Sequence, residues 1–178
     1  MKTALIHNRF QKIFGSYRPR IVLILFIFIF FFSYTLFLAL NLDWNITPDE
    51  PIQFAFSKQF STTLGIPADT YDTYNYGGII KQWPFLFYWI NGRIINLINF
   101  ITPSISDWQL LVTLRVINIF YSLGTLIFCY LFSKELIHNK WWQLLPVFLL
   151  TNTIIFVFVA GGLSYDNLLN MLAMAGLY

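Results

Sequence analysis

Between residues 21 and 42 the chain runs for 22 residues without a charged side chain. At about 1.5 Å per residue, a helix of that length crosses a hydrocarbon layer roughly 30 Å thick. The Ile, Val and Phe content favours strand in water, but a lone strand in lipid leaves its amides unpaired, so the run is read as a helix. Ahead of it come Lys2, Arg9, Lys12, Arg18 and Arg20, with no acid among them. A cleaved signal peptide has a shorter apolar region, about 7–15 residues, followed by a small-residue cleavage site. This run closes instead on Leu40-Asn41-Leu42-Asp43. It therefore reads as a retained anchor, with the basic amino terminus on the cytoplasmic side.

The remaining composition points the same way. Of 178 residues, 57% are hydrophobic and 11% charged, against about 25% charged in an average soluble domain. That excludes a disordered segment, which needs low hydrophobicity and high charge, and leaves too little charge to cover a water-soluble surface. A single cysteine, Cys129, excludes an internal disulfide and any site built on several thiolates. The basic residues cluster at one edge and read as topology signals rather than a nucleic-acid surface.

Residues 43–108 form the one long polar region, placed outside. Asp43, Asp49, Glu50, Asp69 and Asp72 there outnumber Lys58 and Lys81 before residue 84. Within it, residues 50–62 form an amphipathic helix with Ile52, Ala55, Phe56 and Phe60 on one side. Residues 84–101 are apolar enough to span, yet Asn91, Gly92, Asn96 and Asn99 fall on one arc, with Arg93 beside it, as in an interfacial helix. The next span covers 109–132, and the loop 133–140 after it holds Lys134, His138 and Lys140. If 84–101 lies on the surface, that basic loop is cytoplasmic and obeys the positive-inside rule. A third span covers 141–160, with Trp141 and Trp142 as interfacial anchors. An outer turn then leads into an apolar run that stops at Tyr178 and reads as a truncated fourth span. The expected fold is all-α: a multi-pass membrane protein with about three complete spans and juxtamembrane helices in its first outer loop.

No phosphate-binding loop, dinucleotide glycine pattern, HExxH or GxSxG is present. Three sets of residues remain as candidates for chemistry. The first is Thr47-Pro48-Asp49-Glu50-Pro51, an acidic corner between prolines just after the first span. A carboxylate there is placed to act as a general base or to help hold a divalent cation; the simpler account is helix capping. The second is Asp166, at the outer start of the last apolar run, which is either a site residue or a cap. The third is Arg115, followed by Asn118 and Ser122 at helical spacing, a polar stripe facing a neighbour or cavity. Arg115 either binds a lipid phosphate or snorkels to the interface. Lys58, Lys81 and Arg93 are further phosphate candidates.

The order of these pieces resembles the GT-C membrane glycosyltransferases, which include protein O-mannosyltransferases and aminoarabinose transferases. The resemblance rests on a short basic start, one span, and Pro48-Asp49-Glu50-Pro51 outside. It continues with Trp83-Pro84-Phe85-Leu86-Phe87-Tyr88-Trp89, then Leu114-Arg115-Val116-Ile117-Asn118, then Gly162-Leu163-Ser164-Tyr165-Asp166-Asn167-Leu168-Leu169. It implies the front part of a GT-C-type helical bundle that moves a sugar from a polyprenyl phosphate to a lipid, glycan or protein acceptor outside the membrane. It implies Asp49 as base or acceptor-positioning group, Glu50 as its neighbour and Asp166 as a second active-site carboxylate. Some members use a divalent metal; Gln82 stands where the aminoarabinose transferases place an acid. A non-catalytic membrane protein with a scaffolding role stays open as the alternative, and a small transporter behind it.

Overall fold

The computed structural model describes residues 19–44, 46–47, 49–68, 71 and 84–178. Among them all regular structure is helical. The elements are α1 (Pro19–Asn41), α2 (Glu50–Ser61), α3 (Phe85–Ile101), α4 (Asp107–Leu136), a 3₁₀ turn (Trp142–Leu144), α5 (Leu145–Thr151), α6 (Ile154–Gly161) and α7 (Tyr165–Leu177).

Two of these, α1 and α4, are long and apolar enough to cross a bilayer. In α1 the buried residues Ile27, Phe31, Thr35 and Ala39 recur every fourth position and make one stripe against the bundle. Outside that stripe Val22, Leu25, Phe26, Ile29, Phe30 and Phe37 are all more than half exposed. In α4, 30 residues long, the start is set by a capping box. Ser106 Oγ accepts from the Gln109 amide at 3.3 Å, and Gln109 Oε1 accepts from the Ser106 amide at 3.1 Å. The sequence Ser-Asp-Trp-Gln satisfies two otherwise orphaned donors.

α1 and α4 run antiparallel. Arg115, two turns into α4, donates to carbonyls at the end of α1, while Arg20 at the start of α1 reaches Gln143 just past the end of α4. The polar region 43–106 therefore leaves from and returns to one end of this pair. The loop 133–140 lies at the other end, with the start of α1.

The expected continuous third span is broken. The helix Trp142–Thr151 and α6 meet at 61°. Three consecutive polar side chains cause the break by bonding back to their own turn. Thr151 Oγ1 and Asn152 Nδ2 both donate to the Phe148 carbonyl, at 3.0 and 2.7 Å, and Thr153 Oγ1 donates to that of Leu149 at 2.8 Å. Side chains of this kind offer the backbone an alternative to the next helical bond.

The helix expected over 84–101 is present as α3, and its polar arc is divided: Asn91 and Gly92 are buried, Arg93 is half-buried, and Asn96 and Asn99 are exposed. It packs on α2 in parallel: Tyr88 meets Gln53, Asn91 meets Ser57, and Asn96 meets Ser61. The cause lies at the end of α2, whose last carbonyls lack partners within the helix. Arg93 Nη2 donates to the carbonyls of Phe60 and Thr63, and Asn96 Nδ2 to that of Ser61 at 2.9 Å. The exposed side of α3 carries Leu97, Phe100 and Ile101 together with Asn96 and Asn99. The two helices touch closely at Gly92. A Cβ there would lie 2.6 Å from the Phe60 carbonyl carbon.

Two apolar cores result. One, at the end that holds α2 and α3, joins Phe54, Phe56, Phe60, Tyr88, Leu111, Leu114 and Leu163 among others. The other joins Ile27 and Phe31 of α1 to Leu126, Val147, Phe156 and Ala160.

Candidate functional site: an acidic corner over a buried ion pair

Glu50 opens α2 and is 1% exposed; Arg115 in α4 is fully buried. Their side chains form a two-pronged pair. Arg115 Nε donates to Glu50 Oε1 at 2.8 Å and Nη2 to Oε2 at 2.5 Å. The other donors of the guanidinium reach the carbonyls of Ala39, Leu42 and Asp43 at 3.1, 2.7 and 3.3 Å. The end of α1, where carbonyls carry partial negative charge, is thus capped by a cation from another helix. Trp108 lies under the same guanidinium, its ring centre 5.4 Å away. Glu50 Oε1 accepts a further bond from the Leu163 amide at 2.8 Å. One carboxylate therefore fastens α1, α2, α4 and the turn before α7 together.

The polar stripe expected along α4 continues this seam. Asn118 Nδ2 donates to the Gly162 carbonyl at 2.6 Å, and Ser122 Oγ to Asn167 Oδ1 at 2.9 Å. Asn167 in turn donates to the Val159 carbonyl at 2.8 Å. Both stripe residues are fully buried, so the stripe holds the 162–167 turn rather than lining an open path.

Above this seam lie the two exposed acids. Asp49 precedes α2 with φ of 59°, the one positive value among the described non-glycine residues. Left-handed backbone costs an L-residue about 1–2 kcal/mol, least for Asp and Asn. Its side chain makes no capping bond to α2. The capping account expects Glu50 as the cap and Pro51 at the first helical position. Glu50 is instead the first residue of α2, with its carboxylate turned to Arg115 and Leu163, and the carboxylate of Asp49 is exposed at the corner. Asp166 sits in the first turn of α7, where Ser164 is the cap: Ser164 Oγ accepts from the Asp166 amide at 3.2 Å and donates to Asp166 Oδ2 at 3.1 Å.

Tyr88 of α3 lies within electrostatic reach of both acids. It is fully buried, and its hydroxyl donates to Gln53 Oε1 at 2.5 Å. Burial holds its phenol well above the ordinary tyrosine range, and the nearby Tyr165, Asp166 and Asp49 push it further in the same direction. The bond that joins the two corners is made by Glu50, next to Asp49: its Oε1 accepts from the amide of Leu163, three residues before Asp166. The sequence marks Tyr88 only as one member of the aromatic segment Trp83–Trp89. Its role, like that of Gln53, depends on the parallel packing of α2 and α3, for which no local signal exists.

The predicted phosphate-binding cations do not assemble around this corner. Arg115 has all its donors engaged internally, so neither the lipid-phosphate nor the snorkelling account describes it. Lys58 pairs with Asp107 at 2.9 Å on an exposed surface, and Arg93 caps α2. Lys81 lies outside the described residues. Among the described residues no group of three His, Cys, Asp or Glu side chains is arranged to hold a metal ion. Both oxygens of Glu50 are already occupied, so the corner offers a cation only Asp49 and Asp166. The chain matches no protein-family model, no curated protein and no solved structure.

Proposed function

We propose that the chain is a multi-pass membrane protein carrying part of a glycosyl-transfer site on the outer face of the membrane. In this reading α1 and α4 span the bilayer and α5–α6 form a bent third span. The end with Arg20, Lys134 and Lys140 is cytoplasmic and the end with Asp49 and Asp166 is outside, as positive charge near span ends dictates. The observation that carries the reading is the bond from the Leu163 amide to Glu50, which ties the corner at Asp49 to the turn that carries Asp166, with Glu50 held in turn by buried Arg115.

Asp49 is the base. It takes the proton of an acceptor hydroxyl or amine as the acceptor oxygen or nitrogen bonds to the anomeric carbon. The bond from that carbon to the phosphate oxygen breaks, and polyprenyl phosphate leaves with the electron pair. Asp166 accepts hydrogen bonds from the sugar or acceptor hydroxyls and orients them. Glu50 and Arg115 are positioning residues, which corrects the expectation that Glu50 works beside Asp49 on substrate and that Arg115 meets the phosphate. Lys81 is the remaining sequence candidate for the leaving phosphate, which needs positive charge.

One observation favours a second reading, a non-catalytic membrane scaffold: every described cation near the corner is engaged by protein groups. A single assay separates the two. Membranes containing the chain are supplied with polyprenyl-phosphate mannose or polyprenyl-phosphate aminoarabinose, and released polyprenyl phosphate is measured. Catalysis gives release that falls by on the order of 100-fold or more in Asp49→Asn, with membrane insertion unchanged. Release that survives undiminished in Asp49→Asn sinks the role of Asp49. No release from the unsubstituted chain with either donor favours the scaffold.

A further inference from the structure

At the end of the bundle opposite Asp49, an apolar groove of about 430 Å³ runs between α1 and residues 141–148. Leu23, Phe26 and Ile27 form one wall; Trp141, Leu144 and Phe148 form the other. The groove does not end in more apolar surface. Trp141 also lines an adjoining cavity of about 250 Å³, whose other walls are Pro19, Arg20 and Lys140. Among the described residues no acid lines either space.

The basic mouth is built, not incidental. Arg20 Nη1 donates to Gln143 Oε1 at 3.2 Å. Gln143 is itself buried, and its Nε2 donates to the Ile137 carbonyl at 2.7 Å. A held side chain therefore sets where the guanidinium points, and among the described residues its remaining donors have no other partner. Lys140, across the cavity, forms no ion pair among the described residues. The combination has one complementary ligand shape: a hydrocarbon chain ending in an anion. A neutral amphiphile uses only the groove, and a small soluble anion uses only the mouth. Guanidinium and ammonium groups at the edge of a span are suited to a phosphate head group.

We propose that this groove is a binding site for an anionic phospholipid, with an acyl chain between α1 and residues 141–148 and the phosphate at Arg20 and Lys140. The proposal rests on the reading of α1 and α4 as membrane spans. It is independent of sugar transfer at the opposite end.

The test uses the full chain in detergent, titrated with phosphatidylglycerol or phosphatidylcholine of the same acyl composition, with binding read by native mass spectrometry. Phosphatidylglycerol binds more tightly, on the order of tenfold. The double variant Arg20→Gln/Lys140→Gln loses that preference. Lys2→Gln/Arg9→Gln removes as much charge from the amino-terminal segment and keeps it. Leu23→Trp fills the groove and weakens both lipids, and inorganic phosphate displaces neither. Equal binding of the two lipids, equal loss in both charge variants, or displacement by inorganic phosphate overturns the site. Carbonate extraction of membranes from cells expressing the chain separates the two levels of the claim. A chain released by carbonate refutes the spanning reading and the site with it; a chain that stays in the membrane without a lipid preference refutes the site alone.

Discussion

The guanidinium of Arg115 carries five N–H donors, and each meets an oxygen: two on Glu50 and three on the carbonyls of Ala39, Leu42 and Asp43. Taking such a charge out of a polar medium costs several kcal/mol, which is offset only when every donor is satisfied. The pair is therefore sensitive to the loss of one member. Arg115→Ala leaves Glu50 buried with the Leu163 amide as its remaining described donor and uncaps α1. A loss of about 3–5 kcal/mol is expected, measured as a lowered melting midpoint in detergent. The paired substitution Glu50→Leu/Arg115→Met removes both charges and is expected to cost less than Arg115→Ala alone. If the single variant melts with the unsubstituted chain, the corner is not held in this way. Asp49 behaves differently. Its left-handed backbone suits Asn nearly as well as Asp, so Asp49→Asn removes the charge and keeps the fold, which is why that variant tests chemistry rather than stability.

Among the elements, α2 and α3 depend most on a single small residue. Replacing Gly92 by Ala in an isolated helix is favourable by about 1 kcal/mol. Here the added methyl meets the backbone of Phe60 and Ser61 at 2.6–2.9 Å, and backbone cannot swing aside as a side chain does. Overpacking costs about 1–3 kcal/mol, so the packing term wins. Gly92→Ala is expected to destabilise, with hydrogen exchange rising first in α2 and α3. An unchanged or slower exchange contradicts the close approach. These elements also mark the limit of what local sequence conveys. The apolar run of α1 and the Glu50-Pro51 start of α2 are set by neighbours within a few residues and are legible; the Ser106–Gln109 capping box is as local, yet an apolar run read by hydrophobicity starts only at 109, inside it. The packing of Asn91, Arg93 and Asn96 on α2 is not legible, because their partners are Ser57 and the carbonyls of Phe60, Ser61 and Thr63, some thirty positions earlier. The break between α5 and α6 lies between these cases. Thr151, Asn152 and Thr153 are plain interruptions of an apolar run, and their effect is a matter of side-chain bonds within one turn.

For the molecule as a whole, the antiparallel arrangement of α1 and α4 separates two chemically different ends. One gathers the exposed acids Asp49 and Asp166; the other gathers Arg20, Lys134 and Lys140. The expected orientation is testable by labelling single cysteines in a Cys129→Ala background. An impermeant maleimide applied outside intact cells is expected to modify Ser104→Cys and not His138→Cys. Reaction at His138→Cys from outside separates the basic loop from the start of α1 and contradicts the arrangement. The same spatial economy that joins four segments through Glu50 has a consequence in time. Its partners follow it at separations of 65 residues for Arg115 and 113 for Leu163. At a synthesis rate of about 5–20 residues per second, the carboxylate waits roughly 3–13 s for its counter-charge to be made. Until then the segment from 43 onward has reason to stay in contact with water. The arrival of α4, rather than the emergence of α2 itself, is the event that lets this corner of the newborn chain dry out.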